Sequence, residues 1–387
     1  MGTLRLLLAC TVVIGHSSPL FGFIGLNGYA VPAFFIISGF YMNLILDTTY
    51  NRPGGTWLFY SNRFLRLFPI YWSVLIMYAV VAHLPYTESQ NINRYVYDAS
   101  LHFSHATDGS PASLWAIIPN LLTLGSDWFR LFAADALSGT LTLLRPTTDL
   151  KVNTDVYLYL IMPPNWSLGV ELVFYAIVPL LMRVRTWSLI LIFLLFAGVH
   201  HLMQFWNVSW NYLPSPFNIP FFLIGMFAFR CTPQFLSGPR PLVWVAAAYP
   251  FIVGLFFQHM QGLLAPWNGW PFWGAFGLGL PALFIVTKDI KWDSEVGNLS
   301  YPVYLVHWRF AWGCLMFGWA QPIAAILLSV GTSWCLLKII DEPVERWRRS
   351  RASIPSSQLS TFHKGQGEAA PPGSVRIVPA HHSLYSR

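Results

Sequence analysis

The sequence carries very little charge. Only 10% of its 387 residues are Asp, Glu, Lys or Arg, whereas soluble domains carry about 25%. Apolar residues make up 55% of the chain and aromatic residues 17%. A soluble domain with so few charges could not cover its surface with polar groups, so the composition indicates an integral membrane protein.

Cysteine is also scarce, and its pattern excludes two kinds of site. The four cysteines are scattered and belong to no CxxC or Cys/His ligand spacing; they are Cys10, Cys231, Cys314 and Cys335. We predict that they are small core residues, with no disulfide and no metal site. The formal charge of +7 does not indicate nucleic-acid binding, because the basic residues lie at the ends of apolar runs and near the C-terminus.

Long apolar runs are what the sequence does contain. A helix needs about 20 residues to cross a bilayer, and the hydropathy of the chain predicts about ten such spans. The predicted fold is therefore all-α and polytopic. The predicted spans are 4–21, 29–46, 67–84, 165–182, 187–204, 216–230, 242–258, 270–287, 299–318 and 321–340.

The distribution of Lys and Arg predicts the orientation of these spans. Basic residues follow the second, fourth, sixth, eighth and tenth spans, whereas the alternate short connections contain no Lys or Arg. Because cytoplasmic loops carry the excess of basic residues, we expect both termini to be cytoplasmic.

One connection is too long for a simple loop. Residues 85–164, on the predicted outer side, mix polar and apolar runs. They could form re-entrant or interfacial helices, or a hidden pair of spans at 114–144. We take 1–345 as a transmembrane domain that includes this segment, and 346–387 as a disordered basic cytoplasmic tail able to contact anionic headgroups.

An ionisable residue lies inside the first predicted span. His16 follows Arg5 with ten residues between them, in an otherwise apolar stretch. Ionisable groups at membrane depth are costly and are functional-site hypotheses by default, and histidine exchanges protons near neutral pH. The alternative interpretation is a structural histidine, either hydrogen-bonded inside a helix bundle or extending its ring to a membrane interface.

Depth along the spans predicts which polar residues lie near His16. With a rise of about 1.5 Å per residue, His16 falls roughly 18 Å from the inner edge of a ~30 Å hydrocarbon core. Ser38 falls at about the same level, and Glu171 a few ångströms further out. His307 falls roughly 12 Å from the inner edge. These four residues could share one water-filled cavity.

Two arginines open the third span. Arg63 and Arg66 are three residues apart, which puts them on one helix face, and Arg5 falls at the same inner edge. Guanidinium groups bind phosphate in a bidentate manner, so one interpretation is a site for a phosphorylated ligand. The other is topological anchoring by basic residues.

Taken in order, these motifs resemble acyltransferase family 3, whose members are membrane enzymes that O-acylate surface polysaccharides and other glycans. The matching segments are Arg5 with His16, Phe34-Phe35-Ile36-Ile37-Ser38-Gly39-Phe40, Arg63-Phe64-Leu65-Arg66-Leu67-Phe68-Pro69, Trp166-Ser167-Leu168-Gly169-Val170-Glu171 with Phe174-Tyr175, Leu299-Ser300-Tyr301-Pro302-Val303-Tyr304-Leu305-Val306-His307, and Asp341-Glu342-Pro343. The resemblance covers essentially residues 4–345, and the family's ten-helix core agrees with the predicted spans. Val31-Pro32-Ala33 departs from the acidic or polar residue that often precedes the Phe-Phe motif.

The resemblance implies a function and a set of site residues. The implied reaction moves an acyl group, with acetyl preferred, from cytoplasmic acyl-coenzyme A to a hydroxyl of an extracytoplasmic glycan, and the implied location is the bacterial inner membrane. Three residues are expected to be catalytic: His16, Arg5 and Glu171. Four are expected to bind the donor: Arg63, Arg66, Ser38 and His307. No metal is expected.

Two other classes of protein compete with this interpretation. A polytopic transporter of glycan or lipid-linked sugar would also need polar residues within the membrane, but no internal or inverted repeat is visible in the sequence. A non-catalytic membrane scaffold has no need of a buried His/Arg/Glu set. The expected partners are a glycan acceptor and membrane lipids.

Overall fold

A computed structural model describes residues 1–17, 26–84, 91–129, 131–135, 137–143, 153–205, 214–233, 239–264, 270–316 and 322–352. The described chain is mostly helical, as predicted. In chain order the helices are α1 (Gly2–Ser17), α2 (Leu26–Thr48), α3 (Gly55–Ala82), α4 (Asn91–Thr107), α5 (Pro111–Leu122), α6 (Ser126–Phe129), α7 (Trp166–Leu181), α8 (Thr186–Phe205), α9 (Ser215–Arg230), α10 (Arg240–Leu264), α11 (Trp270–Thr287), α12 (Lys291–Asn298), α13 (Ser300–Met316), α14 (Pro322–Leu336) and α15 (Glu342–Ala352).

Each of the ten predicted spans overlaps one of these helices: α1, α2, α3, α7, α8, α9, α10, α11, α13 and α14. Within the described ranges, five stretches are long and apolar enough to cross a membrane: Tyr29–Thr48, Gly55–Ala82, Pro163–Leu181, Trp270–Thr287 and Pro322–Arg348. That all ten helices cross the membrane, with both termini inside, stays a prediction.

The connection at 85–164, named the outer segment after its predicted side, contains a feature that the sequence did not predict. After α4, α5 and α6 comes a three-stranded antiparallel sheet in the order β2-β1-β3. The strands are β1 (Phe132–Asp135), β2 (Leu141–Leu143) and β3 (Asn153–Asp155). The alternative of a hidden pair of spans at 114–144 is wrong, because the described residues of this region form two short helices and two strands. At 12 residues, α5 is too short to cross the hydrocarbon core.

Two glycines let α2 and α9 pack closely. A Cβ on Gly39 would lie 2.0 Å from the carbonyl oxygen of Phe222, and one on Gly225 would lie 1.9 Å from that of Ile36. Only glycine permits backbones to approach this closely, as small residues do in membrane helix pairs. This contact fixes the position of α2, which carries Ser38.

The C-terminal end of the described chain is helical. After α14, residues Leu337–Asp341 form a π-helical turn, which leads into α15. The predicted tail boundary at 346 therefore falls inside α15, and residues 353–387 lie outside the described residues. The four cysteines are all free thiols, and of these Cys335 is exposed.

Candidate active site

A cavity of about 270 Å³ lies between α1, α2, α3, α7 and α13. Five of the seven predicted site residues line it: Arg5, Ser38, Arg63, Arg66 and Glu171. These residues are far apart in sequence and come from four helices. The structure therefore brings most of the predicted site residues together.

Glu171 is held by two hydroxyl groups. The Oγ of Ser38 donates a hydrogen bond of 2.9 Å to Oε1 of Glu171, and the phenol of Tyr175 donates to the same oxygen. Since Tyr175 is four residues after Glu171, the two side chains lie on one face of α7. The carboxyl group is thereby fixed at the wall of the cavity that the arginines of α1 and α3 also line.

The paired arginines of α3 differ in their surroundings. Arg66 donates from Nη1 to Asp341 at 2.6 Å and from Nη2 to Asn298 at 3.0 Å. The guanidinium carbon of Arg63 lies 5.9 Å from the centroid of the Phe59 ring. Its Nε is buried without a hydrogen-bond partner among the described residues. Arg66 is thus neutralised by a carboxylate, whereas Arg63 has no carboxylate partner in the described part of the chain.

A carboxylate from α12 holds the start of α1, one turn before Arg5. Asp293 accepts hydrogen bonds from the backbone N–H groups of Gly2 and Thr3 at 2.7 and 2.8 Å, and from the Thr3 hydroxyl at 2.7 Å. An acidic group at a helix N-terminus satisfies free N–H donors there and is favoured by the helix dipole. Burial raises the pKa of Asp293, but its hydrogen bonds with the Met1 amino group, Thr3 and Gly2 outweigh this effect and hold the pKa at about 2.

His16 and His307 form a second group of residues, outside the lining of the cavity. Their ring centroids are 5.3 Å apart, and His307 is only 1% exposed. The structure pairs Ser38 with Glu171 and His16 with His307, whereas depth along the spans had placed all four residues together. The expected cavity shared by all four is wrong, because similar depth does not determine which helices are neighbours.

Tyr304 contacts both the cavity and the pair of histidines. Its hydroxyl lies at the cavity, 2.6 Å from the Oγ of Ser167, and its ring centroid lies 5.3 Å from that of His307. The ring of Phe34, which also lines the cavity, is 6.4 Å from the Tyr304 ring. This aromatic pair marks the place where the arginine-lined cavity meets the histidines.

Sequence reasoning assigned no role to five residues of the site: Tyr175, Asn298, Tyr304, Trp308 and Asp341. Three of them, Tyr175, Tyr304 and Asp341, belong to the segments that resemble the family, and the four-residue spacing from Glu171 could have given Tyr175 its place because it puts both on one helix face. The contact between Asp341 and Arg66 had no signal in the sequence, since 275 residues separate the two.

No group of His, Cys, Asp or Glu among the described residues could hold a metal ion. In comparisons with known proteins, a family model described as an acyltransferase domain matches residues 2–338. No curated protein and no solved structure gives a significant match.

Proposed function

The chain belongs to acyltransferase family 3, whose domain model matches residues 2–338. We propose that this membrane acyltransferase moves an acetyl group from cytoplasmic acetyl-coenzyme A to a hydroxyl of an extracytoplasmic glycan. The bacterial inner membrane is the proposed location. One observation carries the proposal beyond the family itself: a single cavity is lined by three arginines and by a fixed carboxyl group.

The arginines support a phosphorylated donor. Coenzyme A carries several phosphate oxygens, and guanidinium groups are well suited to bind them. Of the two arginines of α3, Arg63 is the stronger candidate for this contact, because its charge is not neutralised by a carboxylate among the described residues. Arg66 contributes a fixed positive group to the wall, held by Asp341 and Asn298.

His16 is the proposed general base. We propose that His16 takes the proton of the acceptor hydroxyl while the hydroxyl oxygen bonds to the carbonyl carbon of the thioester. The C–S bond then breaks and the coenzyme A thiolate leaves. His16 finally gives its proton to this thiolate. A histidine general base contributes about 10²–10⁴-fold to such a reaction. In this scheme the acyl group passes Tyr304 to reach His16.

Glu171 and Arg5 are proposed to act at the same cavity. Arg5 has no hydrogen-bonded side-chain partner among the described residues, so its guanidinium group is free to bind the donor or the developing negative charge of the transition state. Glu171, fixed by Ser38 and Tyr175, balances the charge of the arginine-lined wall.

Labelled acetyl-coenzyme A tests the proposal in membrane vesicles that contain the protein and the surface glycan of its source organism. We expect label in the glycan, in a bond that mild alkali releases as an O-ester. Vesicles from a strain without the gene are the control. Equal labelling in both preparations would contradict acyl transfer, and gene-dependent movement of unlabelled glycan would instead indicate a transporter.

A further inference from the structure

Two rings from consecutive residues of α13 lie against His16. The centroid of His307 is 5.3 Å from that of His16, with 33° between the ring planes. The centroid of Trp308 is 5.1 Å away, in an edge-on arrangement at 72°. The proposed base therefore sits beside two aromatic rings that each carry a polar nitrogen.

The hydrogen-bonding pattern of His307 fixes its tautomer. Its Nδ1 pairs with the carbonyl oxygen of Tyr304, and a carbonyl oxygen can only accept. Nδ1 therefore carries the hydrogen, which leaves Nε2 as an acceptor when the ring is neutral. This Nε2 is buried and has no hydrogen-bond partner among the described residues.

Trp308 carries an unpaired hydrogen-bond donor, which complements the unpaired acceptor of His307. Its Nε1–H can only donate, and it is buried without an acceptor in the part of the chain that the structure describes. Leaving buried polar groups unpaired is costly, so such groups call for an explanation such as a ligand or a water molecule. Here one unpaired acceptor and one unpaired donor belong to neighbouring rings against the same histidine.

The surroundings place this pair of rings next to the outer segment. The ring of Trp308 lies 5.9 Å from that of Tyr157, in the outer segment. The next residue of α13, Arg309, forms an ion pair of 2.6 Å with Asp98 of α4. Trp308 thus lies where α13 meets the outer segment, and neither His307 nor Trp308 belongs to the lining of the arginine-lined cavity.

We propose that His307 and Trp308 form a subsite for the acceptor sugar. Nε2 of His307 accepts a hydrogen bond from a hydroxyl next to the reacting one, and Nε1 of Trp308 donates to a sugar oxygen. The reacting hydroxyl stays with His16. Sugars offer donors and acceptors on adjacent carbons, which matches this arrangement. The inference rests on the proposed function, and it moves His307 from the donor site to the acceptor site.

Two conservative variants test the subsite. Trp308→Phe keeps a ring and removes the N–H, while His307→Asn keeps a side-chain N–H for the Tyr304 carbonyl and removes the Nε2 acceptor. Kinetics are measured on purified protein in proteoliposomes, with acetyl-coenzyme A as donor and alkali-treated surface glycan of the source organism as acceptor. We expect each variant to raise the KM for the glycan about two- to tenfold, with the KM for acetyl-coenzyme A unchanged.

Trp312→Phe is the matched control. Trp312 lies one turn further along α13, its ring centroid 6.0 Å from that of Trp308, and we expect it to leave both KM values unchanged. If the two test variants lower only the melting temperature, the nitrogens bind a structural water and the proposal is wrong. A fall in kcat with an unchanged KM for the glycan would also overturn it, because His307 would then act by orienting His16. If wild-type protein transfers no acetyl group to the glycan, the proposed function fails and this inference fails with it.

Discussion

Nη1 of Arg66 lies 2.6 Å from Oδ2 of Asp341, and both side chains are largely buried, at 15% and 8% exposure. The second arginine of the pair is therefore a fixed, neutralised part of the cavity wall. Three residues earlier, Arg63 has no carboxylate partner among the described residues. The two arginines share one helix face and one sequence motif, yet we expect their replacement to have different effects.

Arg63→Ala should weaken donor binding. Loss of a hydrogen bond to a charged group costs about 1.5–3 kcal/mol, which is roughly ten- to hundredfold in affinity. Calorimetric titration of purified protein with acetyl-coenzyme A measures this change. Arg183→Ala, at an exposed arginine after α7, is the control and should bind the donor normally.

Arg66→Ala should mainly destabilise the protein. Removing one partner of a buried ion pair leaves the other charge unpaired, at a cost of about 3–5 kcal/mol. We expect a clearly lower melting temperature in detergent for this variant, and a nearly normal one for Arg63→Ala. Equal losses of donor affinity with equal melting temperatures would contradict the division of roles.

His16→Ala should abolish acyl transfer while donor binding and protein abundance persist. His16→Gln should do no better, since glutamine forms hydrogen bonds but cannot accept the proton at neutral pH. The wild-type rate should fall in acid, because a protonated ring cannot act as a base. Full activity in a well-expressed Gln variant would refute the assignment. His83→Gln, at an exposed histidine at the end of α3, is the control.

Asp293 should make the stability of the protein depend on pH. Its pKa is lowered from an ordinary value of 3.8 to about 2, so folding favours the ionised carboxylate. The resulting stabilisation is present above pH 3.8 and is lost as the pH falls through about 2. We expect Asp293→Asn to lower the melting temperature at pH 7 and to flatten its dependence on pH below 4. Asp289 is exposed, and the matched variant Asp289→Asn should change neither the melting temperature nor its dependence on pH. A wild-type pH profile in Asp293→Asn would contradict the prediction.

The orientation of the helices can be tested with reporter fusions. The alternation of basic and non-basic connections predicts that a fusion at residue 265 lies outside, and that fusions at 237 and 360 lie inside. Finding residue 265 in the cytoplasm would overturn the predicted topology.

The sequence predicted a mostly helical chain, because apolar runs are local signals. It also identified several residues of the cavity, since Arg5, Ser38, Arg63 and Glu171 belong to motifs that resemble those of a known family. It missed the sheet of the outer segment, whose strands of three or four residues are too short to give a periodic pattern.

Contacts between distant residues could not be predicted in the same way. Depth along a helix placed His16 level with Ser38, but lateral packing separates the histidines from the lining of the cavity. Nothing in the local sequence shows that Asp341 meets Arg66 or that Trp308 lies against His16. Both contacts depend on how the helices are arranged around one another.

The pairing of Asp341 with Arg66 sets an order of events during synthesis. Arg66 leaves the ribosome early, but its carboxylate partner is translated 275 residues later, and the carboxylate that holds the start of α1 is also translated late. A nascent chain therefore carries the arginines of the cavity well before it carries the groups that neutralise or orient them. Ribosome-bound intermediates and chains shortened before Asp341 are thus expected to insert their first helices without completing the proposed donor pocket, so that binding of coenzyme A requires a residue translated 275 positions after Arg66.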